Sequence, residues 1–196
     1  TDLLAGERVF NLLRESNNRQ LTQSASIMSS DFAFRKAIAT TDYDTVISTL
    51  NNHGARIKAD VLLLAGLDRN TVAHTLTTES DNIGQLQLQE TIGLAEEQGQ
   101  AEVMMVLDGK LYQMVVVPVL APLPIGWLVA GFEIDDQFVQ NLHSVASLNV
   151  SFLTKATSTQ PWQLLISSLP TPTAALIAEV LPATQVQSSD IATLRM

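Results

Sequence analysis

Three histidines, His53, His74 and His143, are the side chains best placed to move protons or bind a metal near neutral pH. No two of them stand four residues apart, the spacing that would set two imidazoles on one helical face over a metal ion. Asp135 and Asp136 fall at the start of a helical pattern, where carboxylates satisfy free backbone N–H groups. Glu96 and Glu97 read as the solvated end of another helix. Cysteine is absent, which removes thiolate metal sites, disulfides and cysteine nucleophiles. Neither a Gly-x-Ser-x-Gly elbow nor a glycine-rich phosphate loop occurs. The expectation is therefore a chain with no catalytic residues, no metal and no cofactor, whose chemistry is binding.

Binding residues are sought through strand alternation. In the apolar run 110–120, Tyr112, Met114 and Val116 share one face; in 125–134, Trp127, Val129, Gly131 and Glu133 do. Tyr112 and Trp127 are amphipathic, suited to a half-polar cavity, and the chain has two Tyr and two Trp in all. His74 lies on a short strand that can line the same cavity. Arg56 ends a helix beside the sheet, where it either meets an anionic ligand or offsets the helix dipole. The candidate ligand-binding set is Arg56, His74, Tyr112, Met114 and Trp127, with plain core filling as the alternative for the two rings.

The elements that must position these residues follow from periodicity. Phe10, Leu13, Asn17, Leu21, Ala25, Met28 and Phe32 recur at spacings of three and four, which predicts one long helix within residues 1–40. The stripe packs either on the chain's own sheet or, in its first half, on a partner helix, with Asn17 as a polar register residue. A second helix is expected over 42–58, capped by Thr41 or Asp42. A strand at 60–67 and another at 71–75 flank a turn at 68–70, where Asn70 tolerates positive φ. A loop at 76–85 precedes a short helix at 86–98. Strands at 101–107 and 110–120 are joined by Asp108-Gly109, a strong hairpin signal, and a third follows at 125–134 after Pro122 and Pro124. These three make an antiparallel meander. A helix to about 147, strands at 149–154 and 162–169, a helix at 172–180 and a strand from 191 complete the reading.

Composition agrees with a folded core: 46% hydrophobic and 16% charged residues in a chain of 196. The net charge of −9 argues against nucleic acid and anionic lipid surfaces, both of which call for clustered Lys and Arg. No apolar run approaches the roughly 18 residues needed to cross a bilayer. The run 114–121 is interrupted by Pro118. Because Thr1 stands almost inside a helical pattern, the chain reads as a piece of a longer protein.

Several stretches, taken together, resemble a known family. They are Asn52-His53-Gly54-Ala55-Arg56-Ile57-Lys58-Ala59-Asp60, then Val72-Ala73-His74-Thr75, and Gly109 through Val119 followed by Ala121-Pro122 and Ile125-Gly126-Trp127. Gly131-Phe132 and Val150-Ser151-Phe152-Leu153 extend the likeness. The chain resembles Cache-type, PAS-like sensor domains, including double Cache forms, of bacterial membrane signalling proteins. The resemblance implies an α/β (α+β) fold with a long N-terminal helix packed on a PAS-like antiparallel sheet. It also implies a periplasmic location on an inner-membrane protein, a small-molecule ligand, a homodimer, and flanking transmembrane helices outside this chain. Output modules in such proteins include GGDEF and EAL domains acting on cyclic-di-GMP, histidine kinases and chemoreceptor modules. A cyclic-di-GMP module is the expected partner here. An Arg and Trp-Tyr cluster found near the second helix of some amino-acid-binding relatives is absent, so the ligand class stays open.

The expected organisation is a signalling helix at 1–40, a sensor lobe at 41–155, and an extension or start of a smaller lobe at 156–196. Two other functions stand beside the sensor: a dimerising or partner-binding module without a ligand, and a soluble enzyme or transport protein of unrelated fold.

Overall fold

The computed structural model describes residues 2–40, 42–76, 85–155, 161–170 and 173–174. The chain divides into two compact units, one of residues 16–133 and one of residues 1–15 with 134–196.

The larger unit is built on a five-stranded antiparallel sheet. Its strands are β1 (Val61–Ala65), β2 (Thr71–His74), β3 (Ala101–Leu107), β4 (Lys110–Leu120) and β5 (Pro124–Glu133), in the order β2-β1-β5-β4-β3. The meander read from the sequence is present, with β3, β4 and β5 paired successively antiparallel. Asp108 and Gly109 close the first hairpin with φ of 50° and 75°. Two positive φ values match the right-handed twist of the strands, which is why Asp-Gly suits a two-residue loop. The second connection contains a cis Ala121–Pro122 bond.

Each face of the sheet carries its own core, because β1, β4 and β5 are apolar on both sides. Leu62, Leu64, Val115, Val117, Val119, Leu128 and Ala130 face helices α1 (Asp2–Ser30), α2 (Phe32–Ile38) and α3 (Tyr43–Ile57), which supply Ala25, Met28, Phe34, Val46 and Leu50. Val61, Leu63, Met114, Val116, Trp127 and Val129 face α4 (Gln85–Gln98), which supplies Leu88, Ile92 and Ala95. The helical stripe on α1 thus packs, over its second half, on the chain's own sheet. Asn17 is part of that packing, since its Nδ2 donates to Gln113 Oε1 on β4 at 3.0 Å.

The expectation of one helix through Phe32 needs correction. α1 stops at Ser30, and Asp31 takes extended backbone and caps α2, accepting from the Phe34 N–H at 2.8 Å. Phe32 is consequently turned out, 73% exposed, and Phe34 takes the buried place. A carboxylate competing for backbone donors outweighed the continuing apolar spacing. The turn after β1 also differs: Arg69 adopts the positive φ of 63°, while Asn70 donates to the Asp68 carboxylate from both its backbone and its side chain. The Asp42 cap of α3 and the Asp135 cap of α5 (Asp136–Ala146) stand as expected.

Hydrogen bonds to Asp31 from the Phe34 N–H, and to Asp68 from the Asn70 side chain, hold both carboxyls below the ordinary 3.8. For Asp31, the charges of His53 and Arg56 add to this and burial opposes it. A depressed folded pKa means stability that is complete above 3.8 and lost as pH falls through the folded value. Asp31→Asn should therefore flatten the acid limb of a pH–stability profile while leaving its neutral plateau largely in place. An unchanged acid limb would show that the cap does not titrate with folding.

Two glycines make a second, contrasting prediction. A Cβ at Gly126 would stand 2.8 Å from the Ala65 carbonyl oxygen on the neighbouring strand, and backbone cannot step aside. At Gly93 on α4 the obstacle is the movable end of Arg69, also at 2.8 Å. Gly126→Ala should cost about 1–3 kcal/mol in urea unfolding. Gly93→Ala should be near neutral, because helix propensity returns up to about 1 kcal/mol.

The smaller unit contains α5 and a hairpin of β6 (Ser151–Thr154) and β7 (Gln163–Ser167), with α5 against β7. Lys155 Nζ lies 4.5 Å above the Trp162 ring. The expected loop at 76–85 falls mostly outside the described residues, as do all but two residues of the helix at 172–180 and the whole strand from 191.

Candidate ligand-binding site

Residues directly opposite in adjacent antiparallel strands point to the same face. The pairings Leu63↔His74, Leu63↔Val129, Val116↔Val129 and Ala101↔Val116 therefore line up His74, Leu63, Val129, Val116 and Ala101 in one row on the α4 face. The next row toward the β4–β5 turn holds Ala65, Trp127 and Pro118. In the other direction come Val61, Gly131, Met114 and Val103, then Glu133, Tyr112 and Met105.

α4 covers β3 and β4 with Leu88, Ile92 and Ala95, spaced four and three apart along one helical stripe. Its placement is fixed by contacts to the β1–β2 turn. Arg69 forms a two-point pair with Glu96, and Gln89 Nε2 donates to Asn70 Oδ1 at 3.1 Å. Glu96 is thus not the free, solvated helix end that its sequence position suggests.

Around Leu63 and Val129 the face is apolar, with two buried polar atoms at its margins. Trp127 is 4% exposed, and its indole Nε1–H has no hydrogen-bond partner among the described residues. The Nδ1 of His74 is likewise buried without a partner. An unpaired buried polar group costs about 1–3 kcal/mol, so two on one face ask for a molecule that supplies partners. His74 and Trp127 stand two residues apart along β1 and two strand spacings across it, which separates their backbones by roughly 12 Å.

The remaining candidates distribute unevenly. Met114 is fully buried over Gly131, where an added Cβ would come 2.5 Å from its sulfur. Tyr112 shares the face with Trp127, as alternation implied, but lies six residues along β4 from the Trp127 row, about 20 Å away. Burial, with the Glu133 charge beside it, raises the Tyr112 phenol above its ordinary value. Tyr112 therefore belongs to the Lys110–Glu133 end of the sheet, where Lys110 Nζ sits 2.8 Å from the Glu133 carboxylate. Arg56 is not brought to this face. It is exposed at the end of α3, on the opposite side of the sheet, where its charge acts on Asp31. His53 packs edge-on against Phe34, and the His143 Nδ1 bonds the Leu148 carbonyl at 2.9 Å, so both have structural roles. Among the described residues no cluster of His, Asp and Glu is arranged to hold a metal ion. No described helix is long and apolar enough to cross a membrane.

Sequence reading placed Val129 beside Trp127 but missed the contribution of Leu63 and α4 to this face. The Leu88-Ile92-Ala95 stripe was the available signal, diluted by Thr91, which is buried with its hydroxyl bonded to the Gln87 carbonyl.

A family model described as "Double sensory domain of two-component sensor kinase", of the double Cache group, matches residues 7–192. Among solved structures, the periplasmic domain of Vibrio cholerae LuxQ is similar at 15% identity with a TM-score of 0.59, over 86% of this chain and 79% of that one. The sensor domain of the V. cholerae histidine kinase DctB is similar at 14% identity with a TM-score of 0.55, over 85% of this chain and 66% of that one. No curated protein matches.

Proposed function

Since the chain belongs to the family of double sensory domains of two-component sensor kinases, we propose that it senses a small molecule on the α4-covered face of its sheet. The observation that carries this reading is the pair of unpartnered polar atoms, Trp127 Nε1 and His74 Nδ1, on an otherwise apolar buried surface. The ligand is a small molecule with an apolar middle and a hydrogen-bond acceptor that takes the Trp127 N–H. The domain is sensory and not catalytic. It works outside the cytoplasm, as the periplasmic domain of LuxQ does, on a membrane protein whose helices flank this chain. A histidine kinase output fits the family description and the DctB neighbour better than the cyclic-di-GMP module expected from resemblance.

Signal passes through α1 in a homodimer. α1 is 29 residues, about 44 Å long at 1.5 Å per residue, and leaves Leu12 and Ile27 more than 60% exposed. A membrane tether would raise the effective concentration of two such helices, so weak contacts suffice. The unit of residues 134–196 with the start of α1 serves as the second sensory lobe.

The test is a thermal-melting screen of this chain against amino acids, small carboxylates, amines and nucleobases. At least one class should raise the melting temperature in a saturable way. If every class left the melt unmoved and a dimer formed regardless, the domain would be a dimerising module without a ligand.

A further inference from the structure

A second recess lies where the end of α1 and the start of α2 meet β4. Ser26, Ser29, Ser30, Arg35, Gly99, Val117, Pro118 and Leu120 line it, and its volume is about 240 Å³. That is the liquid volume of roughly eight waters, or a small organic acid. All of these residues belong to one compact unit.

Arg35 gives the recess its chemistry. Its Nη1 donates to the Leu120 carbonyl at 2.9 Å, which fixes the guanidinium plane against β4. Its Nε–H is buried and has no partner among the described residues. A cationic donor withdrawn from water asks for an anionic acceptor, since bonds to charged groups are about twice as strong as neutral ones. The serines complete the pattern. Ser29 and Ser30 give their hydroxyl protons to the Ser26 and Ile27 carbonyls, at 3.1 and 2.9 Å. Their oxygens are left as acceptors. Sulfate, which has no O–H, offers those oxygens nothing, whereas a molecule with a carboxylate and a hydroxyl satisfies both sides. Val117, Pro118 and Leu120 provide a short apolar wall for its carbon skeleton.

We propose that this recess binds a small hydroxy-carboxylate, with the carboxylate on Arg35 Nε–H and a hydroxyl donating to Ser29 or Ser30. Such a ligand ties the end of α1 to β4, whose other face carries Met114 and Val116 of the α4-covered site. Occupancy here would then act on the helix that carries the signal, independently of a ligand at Trp127.

The experiment follows the Arg35 Nε–H resonance of the whole chain by ¹H–¹⁵N NMR, assigned through its loss in Arg35→Lys. D-glycerate should move it saturably while the Trp127 indole N–H stays in place. Arg35→Lys and Ser29→Ala should each weaken glycerate binding about tenfold, read from backbone amides of β4 and α2. Ser26→Ala, which leaves Arg35 in place, checks that the fold survives change in the recess. No movement with glycerate overturns the proposal. Equal movement with propionate or sulfate overturns it too, because it reduces the recess to general anion attraction. Movement of the Trp127 indole with Arg35 unmoved assigns glycerate to the other site and overturns it as well.

Discussion

Leu63→Ala should destabilise the chain by about 2–5 kcal/mol, the range for truncating a leucine in a close-packed core. Leu63 is completely buried at the centre of the α4 face, between His74 and Val129. Its neighbour Leu62, 1% exposed, sits in the other core beneath α1 and α3. Leu62→Ala should cost a similar amount in urea unfolding, so stability alone does not separate the two. Ligand response does. At the proposed site, loss of Leu63 empties the wall between His74 and Val129, whereas loss of Leu62 leaves that wall in place. Among variants that remain folded, binding should weaken strongly for Leu63→Ala and little for Leu62→Ala. Equal weakening would place the site elsewhere.

Trp127→Phe is the second large effect, and it falls on recognition more than on folding. The substitution keeps an aromatic ring but removes the one donor that the buried indole offers. The free protein holds that N–H without a partner among the described residues, so its loss is inexpensive without ligand. With ligand, a hydrogen bond worth about 0.5–1.5 kcal/mol, or more if the acceptor is charged, is gone. At a ligand concentration of about 100 times Kd the wild type gains about 2.7 kcal/mol of stability. Trp127→Phe should lose about a fifth to a half of that gain at the same concentration, and more than half where the acceptor is charged. A melting shift equal to the wild type's would show that the indole N–H takes no part.

How far the sequence reveals this depends on how local each cause is. Asp108-Gly109 announces its hairpin because the turn needs two positive φ values and little else. The faces of β4 and β5 follow from alternation alone, which put Tyr112, Met114 and Trp127 on one side correctly. Alternation does not give position along a strand, so the distance between Tyr112 and Trp127 emerged only with the register. Arg56 was misplaced for a related reason: periodicity shows that α3 has an apolar stripe, not which face of the sheet receives it. The break at Asp31 was visible in principle as Ser-Ser-Asp followed three residues later by the amide it caps. Arg35 gave no sequence signal, because its role depends on the Leu120 carbonyl, 85 residues away.

The most direct measurement is the indole N–H resonance of Trp127 in a ¹H–¹⁵N spectrum, recorded during titration with whichever compound raises the melting temperature. Trp162, on the smaller unit, supplies an internal reference. The sensor account predicts a saturable shift of the Trp127 signal as its N–H acquires an acceptor, with the Trp162 signal unmoved. A compound that stabilises the chain in proportion to occupancy while leaving the Trp127 signal fixed would contradict it.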